Sequence, residues 1–78
     1  MVSFEDIKKE LNNRNISNYD VYGLDEIVIE MSNYESLKFI NQTHYLQSLI
    51  EKACGEWDLL NKVTTIEEVS ELLEKYID

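Results

Sequence analysis

The sequence predicts a small all-α bundle of three main helices plus a short one. Three observations predict it. Pro is absent and Gly occurs only at positions 23 and 55, which disfavours a turn-rich β-sandwich. Apolar residues recur at three- and four-residue spacing in three stretches. Two of the predicted helices open on good capping residues. With 78 residues the chain is read as one domain, 1–78. An apolar fraction of 44% is enough for a folded core.

The first helix is predicted over 3–14. Ser3 caps it, and Glu5 and Asp6 sit in the first turn, where the helix dipole favours acids. Phe4, Ile7 and Leu11 form one apolar stripe. The run Asn12-Asn13-Arg14-Asn15 ends it.

Residues 15–35 admit two readings. Asn18, Asp20, Gly23 and Asp25 are loop residues. One reading is a long loop whose apolar members, Ile16 and Val21 among them, plug a bundle. The other is a hairpin with strands Tyr19 to Tyr22 and Glu26 to Met31 turning at Gly23, because Ile27, Val28, Ile29 and Met31 are β-prone.

The second helix is predicted over 36–54. Leu37, Ile40, Leu46, Leu49, Ile50, Ala53, Cys54 and Trp57 follow three- to four-residue spacing, and Gly55 suits a C-terminal cap. Residues 58–62 make one short helical turn. The last helix is predicted over 66–77. Thr65 and Glu68 form a capping box ahead of Ile66, Val69, Leu72, Leu73, Tyr76 and Ile77.

Net charge is −9, from 16 acids against 7 bases. This opposes direct nucleic-acid binding, which needs cations to neutralise phosphates. It suits transient docking of a monomer on basic protein surfaces. The acids concentrate in residues 15–37 and 65–78. No apolar run reaches membrane-spanning length and no signal pattern opens the chain, so a cytoplasmic location with no membrane partner is expected. No enzyme is expected. His44 and Cys54 would stand about 15 Å apart along one helix, too far for proton transfer. Cys54 and Trp57 read as core residues. The tyrosines lack basic interleaving, and Glu67, Glu68, Glu71 and Glu74 read as a solvated face. No metal site is expected.

The stretch Asn33-Tyr34-Glu35-Ser36-Leu37 resembles the Gly-x-Asp-Ser-Leu attachment motif of acyl and peptidyl carrier proteins. Ser36 and Leu37 match, Glu35 is a near match, and Asn33 replaces the glycine. Ile7-Lys8-Lys9, the pair Val28-Ile29 and the run Thr65-Ile66-Glu67-Glu68-Val69 also resemble carrier segments in order and spacing. The resemblance implies a 4'-phosphopantetheine arm attached to Ser36 at a helix N-terminus, with Glu35 and Leu37 beside it. It implies an acyl or aminoacyl cargo held as a thioester in a dedicated biosynthetic pathway. Its implied partners are a phosphopantetheinyl transferase and transferring enzymes with basic docking surfaces.

A rival expectation follows the hairpin reading. The layout becomes α-β-β-α-α. With the negative charge, that layout resembles small phage-encoded anti-CRISPR proteins. It implies a small acidic inhibitor that binds a protein, as a nucleic-acid mimic does, and holds no cofactor.

Overall fold

The first helix, α1, spans Phe4–Asn13 and the last, α2, spans Ile66–Tyr76. Between them stand five strands, β1 Tyr19–Tyr22, β2 Glu26–Glu30, β3 Ser36–Asn41, β4 Leu46–Glu51 and β5 Trp57–Val63, with a single 3-10 turn, Ser32–Tyr34, joining β2 to β3. The computed structural model describes residues 1–77. The strands form one antiparallel sheet in the order β1-β2-β3-β4-β5, so each pairs with its neighbours in sequence.

The helix ends follow from local chemistry. The Ser3 side chain accepts from the Asp6 N–H while the Asp6 carboxylate accepts from the Ser3 N–H. Thr65 and Glu68 close the same reciprocal box on α2. Each box satisfies two N–H groups that a helix end leaves unpaired. The N-terminal segment is tied to the chain's far end by a hydrogen bond from the Val2 N–H to the Thr64 carbonyl.

The all-α bundle is overturned, and so is the α-β-β-α-α alternative. Of the two readings of 15–35 the hairpin is the one present, turning through Gly23 at φ 57. In place of a helix over 36–54 stands a second hairpin, β3–β4. The short turn expected over 58–62 is part of β5. The physical reason lies in β4. Leu46, Ser48 and Ile50 point to one face and Leu49 to the other, and all four are buried. A strand buried on both faces imitates the three- and four-residue spacing of a helix. The break between β3 and β4 is local: Asn41 Oδ1 accepts from the Thr43 N–H, and Thr43 adopts φ 75. Gly55 caps no helix; at φ 91 it turns β4 into β5.

Residues directly opposite in adjacent strands share a face. Ile29, Leu37 and Ile50 form one such row, and Ile27, Phe39 and Ser48 another. With Leu46 and Val63 they meet Ile7 and Leu11 of α1 and Val69, Leu72 and Leu73 of α2 in one core cluster. Both helices therefore cover the same face of the sheet. Ser48 is a buried polar residue of that face. Its hydroxyl donates to the Asn61 carbonyl (2.6 Å) and accepts from the Asn61 N–H (2.9 Å). The register slips at this point between β4 and β5, so the Ser48 side chain supplies the bonds that a regular ladder partner would make.

Candidate functional site

The helix-free face of the sheet is built from three registered rows. The middle row is Asp20, Val28, Lys38, Leu49 and Leu59. On one side of it runs Glu30, Ser36, Glu51 and Trp57. On the other runs Tyr22, Glu26, Ile40, Gln47 and Lys62. The face is two-toned. Its β1–β2 half carries the carboxylates of Asp20, Glu26 and Glu30, and its β4–β5 half carries Leu49, Trp57 and Leu59.

Val28 and Leu49 are buried although no helix covers them, and neither belongs to the core cluster under the helices. They form the floor of this face. Above the floor, Trp57 is 55% exposed and Leu59 68% exposed. Leu59 lies opposite the buried Leu49, so the exposed apolar area of this face gathers on its β4–β5 half.

Polar contacts hold the aromatic in place. The Trp57 indole N–H donates to Glu51 Oε1 at 3.0 Å. Lys38 Nζ lies 3.1 Å from Glu51 Oε2 and 5.8 Å from the Trp57 ring centroid. The indole bond, then the lysine, hold the Glu51 carboxyl below its ordinary value. Glu51 thus stays anionic and orients both neighbours. In the same row the Ser36 hydroxyl donates to Glu30 Oε2 at 3.3 Å.

The residues singled out in the sequence lie otherwise than the carrier resemblance implies. Ser36 opens a strand, is 8% exposed and is engaged by Glu30. Leu37 is fully buried in the core and Glu35 follows a tight turn. A phosphopantetheine arm does not fit these residues. Ser36 opens a strand and not a helix, and its phosphodiester would lie against the carboxylate of Glu30. Cys54 is an exposed turn residue and Trp57 a surface one, so neither is the core residue expected of it.

Among the described residues no group of His, Cys, Asp and Glu is placed to hold a metal. No helix among them is long and apolar enough to cross a membrane. A cleft of about 390 Å³ lies between the start of α1 and the β1–β2 turn, lined by Val2, Phe4, Val21, Leu24 and Leu46. The charged groups at its rim, Glu5 and Lys8, are paired with each other at 2.7 Å. It therefore presents no convergent set of catalytic groups.

No family model, no curated protein and no solved structure matches the chain.

Sequence reasoning missed Trp57 and Leu59 as surface residues. The available signal was the alternation of Trp57, Leu59 and Lys62 around a bulge. It has meaning only once 57–63 is read as a strand.

Proposed function

We propose that this chain is a non-enzymatic, acidic protein-binding module of the inhibitor type. It docks the helix-free face of its sheet on a basic surface of a partner protein and acts by occupying that surface. The observation that carries this reading is the pair Trp57 and Leu59, exposed on β5 beside the buried Leu49 of β4. Interface energy concentrates in aromatic anchors that stand ready in position. Glu51 and Lys38 support Trp57 in this way. The carboxylates of Asp20, Glu26 and Glu30 on the same face supply charge complementarity, and the net charge of −9 supplies long-range steering.

The partner's basic surface is read here as one that meets a polyanion in its own work. Acids on the face of a sheet compete there as phosphates would. The test is a matched capture from cell extract with immobilised wild type, Leu59→Ser and Trp57→Ser/Leu59→Ser. The reading expects a basic protein retained by wild type, weakened by the single variant, lost with the double variant and released as salt rises. Leu59→Ser alters a surface position and leaves the fold intact. Retention of the same proteins by all three baits overturns the reading.

A further inference from the structure

We infer that Tyr34, at the turn between β2 and β3, receives an arginine side chain of the partner protein, its ring against the guanidinium and the carboxylates of Glu30 and Glu35 beside it. This rests on the reading of the helix-free face as a docking surface and names the partner chemistry at one end of it.

Tyr34 is 90% exposed. It and Asn33 both adopt φ 62. Asn tolerates the left-handed region; a bulky side chain does not. A tight turn with two successive left-handed residues ordinarily places Gly second. Here the chain holds an aromatic ring where the backbone disfavours one and then leaves it in solvent. Such outliers collect at functional positions.

Charge gives the occupant. The lysine–ring contacts among the described residues are Lys38 over Trp57 (5.8 Å), Lys62 over Tyr45 (4.8 Å) and Lys75 over Tyr76 (5.3 Å). Tyr34 is not among these rings. Between Arg14 and Lys38 the sequence has no lysine or arginine, whereas Glu30 and Glu35 flank the turn. One oxygen of Glu30 accepts from Ser36, which holds the carboxylate at the start of β3 next to the turn. An aromatic face with carboxylates beside it attracts a delocalised, weakly hydrated cation, and guanidinium fits better than ammonium. The turn stands at the end of the sheet that bears the Glu30–Ser36–Glu51–Trp57 row. Tyr34 and Trp57 therefore stand at the same end of the sheet.

The test titrates the ¹⁵N-labelled full chain with the peptide acetyl-Gly-Arg-Gly-Arg-Gly-amide and with its lysine counterpart at equal ionic strength. Amide shifts are expected to concentrate over residues 32–36, with the arginine peptide binding more tightly. Tyr34→Phe is expected to keep that affinity, because the ring and not the hydroxyl makes the contact. Tyr34→Gly is expected to weaken it roughly three- to fivefold while raising the melting temperature, because it relieves the left-handed strain. A purely structural role for Tyr34 predicts no such opposition between binding and stability. Shifts spread evenly over all acidic residues, or unchanged affinity in Tyr34→Gly, overturn the inference. So does a captured partner that depends on Trp57 and Leu59 but not on Tyr34, and that result leaves the docking face itself standing.

Discussion

Glu51 binds Trp57 and Lys38 with different oxygens of one carboxylate: the indole N–H with Oε1 at 3.0 Å and the ammonium with Oε2 at 3.1 Å. The three residues come from β5, β4 and β3, so the contact ties three strands together across the helix-free face. It also fixes an exposed tryptophan in one orientation before any partner arrives. An anchor already ordered loses less entropy on binding.

That arrangement has a pH signature. Glu51 is held low by Trp57 and then Lys38. Glu68 is held low first by the Thr64 N–H and then by Thr65, and Asp6 by the Ser3 N–H and hydroxyl. A carboxylate depressed in the folded state stabilises the fold above its unfolded value and loses that contribution as pH falls through its folded value. Stability should therefore be level near neutrality and decline below about 4.5, the ordinary value of Glu51 and Glu68. Urea midpoints measured from pH 7 to pH 3 check this. Glu68→Gln should shallow the decline, and an equally steep curve in that variant counts against the assignment.

Ser48 offers a stability test inside the sheet. Its hydroxyl serves both the N–H and the carbonyl of Asn61 at the register slip. Ser48→Ala leaves both groups short of a partner and should cost about 1–3 kcal/mol. In a domain of this size each kcal/mol lowers the melting temperature by about 4–8 °C. A melting temperature unchanged in Ser48→Ala would show that the bulge is bridged in another way.

Two substitutions separate the faces of the sheet. Phe39 is fully buried under the helices, and Phe39→Ala should cost about 3–5 kcal/mol, much of what a small domain has. Leu59 is 68% exposed on the opposite face, and Leu59→Ala should stay within about 0.5 kcal/mol of wild type. Chemical denaturation of the two variants measures the contrast directly.

Both helices are legible in the sequence because their signals are local. Ser3 announces one cap and the pair Thr65 and Glu68 the other, while the part of Asp6 in the first cap is seen only in the structure. The hairpin at Gly23 is legible as one of two readings. The middle of the chain is not, because Leu46, Leu49 and Ile50 satisfy a helical period while lying on a strand buried on both faces. Only the sheet decides that Leu49 belongs opposite Lys38 and Leu59. The alternation of Leu37 and Phe39 around Lys38, followed by Asn41-Gln42-Thr43-His44, contained the correct signal in weaker form. Reading 36–54 as a helix also carried Ser36 to a helix start it does not occupy. The exposed apolar residues of the helix-free face were hidden for a related reason. Trp57 looks like a core residue by hydrophobicity alone, and its exposure follows from lying on an edge strand with no helix above it.

The central claim is that Trp57 stands exposed on a face that a partner covers, and it is the chain's single tryptophan. Acrylamide quenching of its fluorescence, with and without the basic protein recovered by capture, tests that claim most directly. The account predicts a red-shifted, readily quenched emission in the free chain, and a blue shift with strong protection in the complex that salt reverses. Emission and quenching that stay the same in the complex would contradict it.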